Sequence, residues 1–158
     1  MIADAEGLVQ APVDTPDADW PRKAYITRQV KQRLHQDRFR WLVLRADREQ
    51  CTMCRLRHVD LLEAAHILPD RDVRGQPEVP NGLSLCKIHH SAYDADILGI
   101  DPDYRIHLRH DILDEIDGPM LTHGLQEMHH RMLHVRRRPQ ERPSRDYLAE
   151  RFQKFRAA

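Results

Sequence analysis

Two close pairs of thiolate and imidazole donors, Cys51-x-x-Cys54 and Cys86-x-x-His89, bracket the middle of this chain. Zinc takes four such ligands in a tetrahedron, and two short-spaced pairs deliver all four. A site built from both pairs staples residues 51–54 to residues 86–89 and closes the loop between them. Its binding energy then becomes folding energy, which matters for a small core. The competing reading is an incidental Cys pair with His89 on the surface. Neighbouring His90 could exchange roles with His89. The x-x gap favours His89 as the ligand and leaves His90 free.

The wider sequence agrees with a metal rather than a disulfide framework. Three Cys is an odd number, and two of them sit in the Cys-x-x-Cys. That usage fits metal binding in a reducing compartment. The first residues, MIADAEGLVQAPVDTPDAD, lack the basic-then-apolar order of a signal peptide. No apolar run approaches the roughly 18 residues needed to span a bilayer. The expectation is a cytoplasmic chain with no membrane segment. At 158 residues it suits one domain with a modest core, and 41% hydrophobic with 32% charged residues is ordinary for a globular protein.

A net charge of zero conceals strong local bias. Residues 1–20 carry five acids and no Lys or Arg, while residues 21–58 carry 11 basic and 3 acidic residues. Residues 59–103 carry 3 basic and 9 acidic residues, and residues 104–158 carry 11 and 8. Basic flanks around an acidic centre suit a protein that holds phosphates at its edges and a cation in the middle. Taken singly, each charge run reads equally as a solvated helix face.

Residues 1–20 read as a disordered leader or interdomain linker, being acidic, Pro-containing and without period. From Arg22 to Glu49 the spacing is helical, with Ile26, Val30 and Leu34, then Phe39, Leu42, Val43 and Ala46, on an apolar stripe that Asp37 could break. Arg38, Arg40 and Arg45 fall mostly off that stripe, where they could contact DNA backbone or could only solvate a helix. Leu61–Leu68 predicts a strand ended by Pro69, residues 69–82 a loop with an Asn81-Gly82 turn, Leu83–Leu85 a strand, and Ile88 to about Asp96 a helix. Short strands over 97–100 and 104–108, a helix over 119–128 and a last helix capped by Ser144 follow. The last helix buries Leu148, Phe152 and Phe155. His129, His130 and His134 form a further cluster, read as surface. Arg136-Arg137-Arg138 could grip phosphates or could be a solvated strand end.

Inside the metal bracket the order is a His closing an apolar strand, an Asn-Gly and a His opening a helix. The stretch LLEAAHILPDRDVRGQPEVPNGLSLCKIHHSAYDADILGI resembles HNH endonucleases of the ββα-metal group, most strongly over residues 51–100. The resemblance implies an α+β fold: a ββα-metal core with a structural zinc knuckle, flanked by N- and C-terminal helices, over residues 21–158. It implies His66 as general base, since an imidazole titrating near neutrality can take a proton from water. Alone, a His on an apolar strand is more often a core residue. Asn81 corresponds to the residue that pins the loop, a role close to that of a plain turn residue. His90 corresponds to the ligand of a catalytic divalent ion. Asp94 lies four residues on, hence on the same helix face, though it reads equally as helix surface.

One departure concerns the acid that many of these enzymes place directly before the first His. Here that position is Ala65. Glu63 shares its strand face by parity, but two residues span about 6–7 Å, which leaves its reach in doubt.

The resemblance therefore implies a metal-dependent DNA endonuclease, with structural Zn²⁺ and a catalytic Mg²⁺ or Mn²⁺, or Ni²⁺ or Co²⁺ given the His ligand. Cutting both strands needs two sites, so a homodimer is one expected partner. The basic helix and IDPDYRIHL also resemble the C-terminal part of modular restriction proteins, which implies an upstream DNA-recognition domain outside this chain. The alternative is a zinc-stapled nucleic-acid-binding module without catalysis. A protein-interaction zinc domain leaves the spacing of His66, Asn81 and His90 unexplained.

Overall fold

The computed structural model describes residues 20–158, with side chains from residue 27 onward. The leader expected at the N-terminus and the side chain of Ile26 lie outside the described residues. The chain divides into two units, residues 1–33 and 34–158. Of the first, the described part is the opening of helix α1 (Trp20–Ala46), on which Arg28, Val30, Lys31 and Arg33 are exposed. The second unit carries everything that follows.

Helix α1 continues through Asp37 without a break. Asp37 is solvent-exposed, so it costs the helix only intrinsic propensity. The apolar stripe read from the sequence does not act as one surface. Leu34 is 62% exposed, whereas Phe39, Val43 and Leu44 are buried in the core.

The centre of the second unit is strand β1 (Leu62–His66), strand β2 (Gly82–Cys86) and helix α2 (Lys87–Asp94). The strands are antiparallel, with Leu62 opposite Cys86 and His66 opposite Gly82. A second antiparallel hairpin, β3 (Leu98–Ile100) with β4 (Ile106–Leu108), follows. Three further helices complete the unit: α3 (His110–Asp114), α4 (Pro119–Gly124) and α5 (Arg145–Ala157). Ser144 caps α5 as expected, its Oγ accepting from the Tyr147 amide at 3.4 Å. The predicted helix over 119–128 stops at Gly124 and gives way to a single 3-10 turn over Gln126–Met128. The α+β class and the ββα order anticipated from the sequence are the ones the structure has.

The Asn-Gly pair is not the turn that its composition suggests. Residues Val79–Asn81 make one 3-10 turn, and Gly82 is already extended at φ −130°. What Gly82 provides is close approach. A Cβ there would lie 2.4 Å from Val43 Cγ2 and 2.8 Å from the Phe39 ring. Bare backbone at this position lets α1 lie directly on β2.

Arg136 departs from its expected role as a phosphate contact. It is buried, and all five of its N–H groups are engaged. Nε and Nη2 donate to the Asp47 carboxylate at 2.7 Å each, Nη2 also to Gly82 O at 2.7 Å, and Nη1 to Val79 O and Glu141 O at 2.6 Å each. Asp47 lies just past the end of α1 and also accepts from the Ser84 amide at 3.0 Å. Burial pushes the Asp47 carboxyl above its ordinary value, and the Arg136 guanidinium opposes that shift. Deleting one partner of such a pair strands a buried charge. Arg136→Ala is expected to cost roughly 3–5 kcal/mol in denaturant unfolding. Arg137→Ala, at an exposed position, should stay within about 0.5 kcal/mol. Equal small effects from both variants would refute the interior role of Arg136.

Candidate metal and catalytic site

Cys51, Cys54, Cys86 and His89 gather so that one ligand atom from each lies within 4.8 Å of all the others. His89 Nδ1 is 3.4 Å from Cys51 Sγ and 3.2 Å from Cys86 Sγ. Its other nitrogen, Nε2, donates to the Gly124 carbonyl at 2.7 Å. That bond turns Nδ1 to the sulfurs as the nitrogen a metal would take. Burial opposes protonation of His89, but hydrogen bonds to Cys51 and Cys86 raise its pKa to about 10, so metal binding would displace a proton. Three sulfurs this close compete for protons. Hydrogen bonding to Cys51 raises the Cys54 thiol pKa and lowers that of Cys86. A divalent cation relieves that conflict, and three thiolates with one imidazole are a donor set that suits zinc. The knuckle itself is tight: the Arg55 amide donates to Cys51 O at 2.9 Å, and Arg55 sits at φ 65°.

His66 closes β1 beneath Phe39, whose ring stacks on the imidazole with centroids 4.0 Å apart and planes at 19°. Its Nε2 is buried and has no hydrogen-bond partner. Stacking on the Phe39 ring, rather than a hydrogen bond at Nε2, holds the imidazole. Burial is the largest influence on His66 and pushes its pKa below the ordinary 6.5, against the pull of Asp70. The ring is therefore neutral at physiological pH.

Asn81 is buried and pins the loop after β1. Its Oδ1 accepts from the Leu68 amide at 2.9 Å, and its Nδ2 donates to Leu68 O and to Gln76 O at 3.1 Å each. The Ile67 amide donates to Asn81 O at 2.9 Å. The backbone that follows His66 is held on both sides by this one residue.

His90 is flanked by carboxylates. Nδ1 lies 2.6 Å from Glu63 Oε2 and Nε2 lies 3.3 Å from Asp94 Oδ2. Glu63 thus reaches the His90 ring itself. The two acids address opposite nitrogens of the ring. Among the described residues, the only group of three or more such ligands drawn together is the one around Cys51. One imidazole with oxygen donors on either side is nonetheless a chemistry that accepts a small divalent ion.

His66 and His90 open onto one cleft of about 310 Å³, lined also by Ile67, Pro69, Asp70, Asp94, Arg151 and Lys154. Asp70, Arg151 and Lys154 were not singled out from the sequence. Asp70 read as a loop acid. The two cations lie on α5, far along the chain, with no pattern linking them to the His residues. Lys154 Nζ lies 3.2 Å from Asp96 and its side chain is 65% exposed. Arg151 is buried, bound to Asp96 and to the Tyr93 carbonyl.

The remaining arginines divide. Arg38 is exposed. Arg40 turns back onto the backbone, donating to Val59 O at 3.0 Å and Leu62 O at 3.1 Å. Arg45 lies over the exposed Trp41 ring at 4.8 Å. Arg45, Arg48, Arg137 and Arg138 line a shared basic groove of about 460 Å³.

Residues 51–101 match the family model described as HNH endonuclease. A solved chain described as a modification-dependent TagI restriction endonuclease is similar in fold, with a TM-score of 0.53 at 21% identity over 74% of this chain. This chain spans 37% of that neighbour's length. No curated protein matches the sequence. Purified protein is expected to carry about one zinc per chain. Its removal by a strong chelator should lower the melting temperature by roughly 10 °C or more. A metal-free chain with an unchanged melt would remove the structural role from the Cys51 cluster.

Proposed function

We propose that this chain, whose residues 51–101 match the HNH endonuclease family model, is a metal-dependent DNA endonuclease, the nuclease module of a restriction or defence system. The observation that carries the reading is the cleft where a neutral His66 faces His90 and its two carboxylates. The coverage of 37% of the TagI chain supports a companion DNA-recognition domain, and a homodimer is the arrangement that would cut both strands.

In this reading His66 accepts a proton from water at the nitrogen facing the cleft, Nδ1, since Nε2 is interior. Phe39 and Asn81 hold the ring and the loop behind it, so the base is pre-positioned. His90, with Glu63 and Asp94, would hold the divalent ion, Mg²⁺ or Mn²⁺ by default and Ni²⁺ or Co²⁺ by its ligand type. When bound, the ion supplies positive charge to the phosphate and the departing 3′ oxygen. Lys154 adds a fixed cation on the α5 side of the cleft. Arg38, Arg45, Arg137 and Arg138 are the surface cations suited to the backbone. Zinc at Cys51, Cys54, Cys86 and His89 is structural. A second reading, a zinc-stapled binding module without catalysis, draws on the failure of Glu63, His90 and Asp94 to converge on one point.

A plasmid-nicking assay with added Mg²⁺, Mn²⁺, Ni²⁺ or chelator separates the two readings. Wild type is expected to cut only with metal, and His66→Ala to bind plasmid but not cut. Cutting by His66→Ala would reassign the base, and folded wild type that binds without cutting under any metal would favour the binding module. Lys154→Ala should slow cutting roughly 100-fold while binding changes far less.

The pH dependence follows from the direction of the His66 shift. The base works when neutral, and its folded pKa lies below 6.5. Cutting should be flat at neutral pH and fall on acidification, with its midpoint below the ordinary imidazole value. A midpoint above that value would remove His66 from the step.

A further inference from the structure

A second pocket, of about 580 Å³, shares no lining residue with the His66 cleft and is lined by His107, His129, His130, Phe152, Phe155 and Arg156, among others. Its rings are arranged rather than scattered. His129 and His130 are stacked with centroids 3.8 Å apart and planes at 29°. His107 meets His130 edge-on at 5.5 Å and lies 4.9 Å from the Phe152 ring.

Backbone geometry produces this platform. His130 sits at φ 63°, an uncommon conformation for a residue with a Cβ. It folds the His130 ring back on its neighbour's. The segment then runs along the free edge of β4, with the His130 amide donating to Ile106 O at 2.8 Å and the Ile106 amide to Arg131 O at 2.9 Å. The Leu108 amide donates to His129 Nδ1 at 2.9 Å, so a side chain completes the ladder. With Nδ1 accepting, neutral His129 carries its proton on Nε2. Burial holds its pKa below the ordinary value. His107 Nε2 donates to Asp101 Oδ2 at 2.8 Å, which leaves Nδ1 of His107 available.

The ligand class follows from these features. No Asp or Glu side chain lines the pocket, and of its two arginines Arg109 is paired with Asp111 at 2.6 and 2.8 Å, which leaves Arg156 to meet an anionic group of a guest. The volume falls in the range of pockets that enclose small molecules. A metal is disfavoured: no three of these donors converge among the described residues, and one nitrogen each of His107 and His129 is already bonded. Flat rings, one N–H donor, one free ring nitrogen and the Arg156 cation match a nucleotide whose base has left the stack. We propose that this pocket binds a single unstacked nucleobase of the nucleic acid on which the chain acts, an inference that rests on the nuclease reading above. Helix α5 links the two places. Arg151 and Lys154 on one face line the His66 cleft, and Phe152 and Arg156 on another line this pocket. The helix is about 10–12 Å across with its side chains, a span of only a few nucleotides.

The test is binding of a single-stranded oligonucleotide carrying one 2-aminopurine, whose fluorescence is quenched on stacking, measured without added divalent ion. Wild type is expected to bind and quench. His130→Gly, which keeps the backbone at φ 63° without strain, and Phe152→Leu should each weaken binding about 5-fold or more and restore fluorescence. Ile116→Ala, at a surface position that lines neither pocket, should behave as wild type. Absence of quenching in wild type, or quenching retained in both variants, overturns the inference. So does a zinc or nickel ion beyond the structural one that His130→Gly abolishes. Quenching without plasmid cutting would sink the nuclease reading and leave this pocket standing, and cutting without quenching would do the reverse.

Discussion

Cys86 and His89 have to face Cys51 and Cys54, and that demand settles the rotation of α2. Neighbouring helical residues are turned by about 100°. With His89 committed to the sulfurs and its Nε2 tied to Gly124, His90 has to emerge on the adjoining face. That face looks toward β1, where Glu63 meets it at 2.6 Å, and toward the cleft shared with His66. The sulfur cluster and the cleft of His66 and His90 are therefore one geometric object, with a single helix transmitting the constraint between them. A loss of metal from the first would be felt in the second through the orientation of α2.

The other wall of the cleft depends on how closely α1 can approach β2. Phe39 rests on His66 because Gly82, opposite His66 in the ladder, offers no side chain. The end of α1 is then locked by Asp47 and Arg136, which also draws in the carbonyls of Val79, Gly82 and Glu141. Buried ion pairs add little net stability against an apolar alternative, but this one joins four segments of backbone at fixed distances. Its value to the fold is registry.

The sequence was legible where chemistry is local. The two donor pairs, the ββα order and the placement of Asn81 at the loop end follow from spacing alone, and the Ser144 cap from residue type. Arg136 was misread because three consecutive arginines look alike in a string, and only the position of Asp47, 89 residues earlier, distinguishes the interior one. Lys154 and Arg151 were invisible for the same reason, since α5 meets the cleft through tertiary packing on β3. The histidines at 129 and 130 read as surface because no ligand spacing links them. Their arrangement comes from a backbone angle and an edge-strand contact, neither of which has a residue pattern.

Glu63 carries a wider consequence. It stands two positions before Ala65 on β1 and still delivers its carboxylate to His90. A pleated strand repeats every two residues, so an acid can migrate along it in steps of two and keep its outlook. The grammar of such a motif is parity rather than adjacency. Patterns that demand an acid immediately beside the His would discard chains of this kind, while patterns that admit any same-face position would retain them.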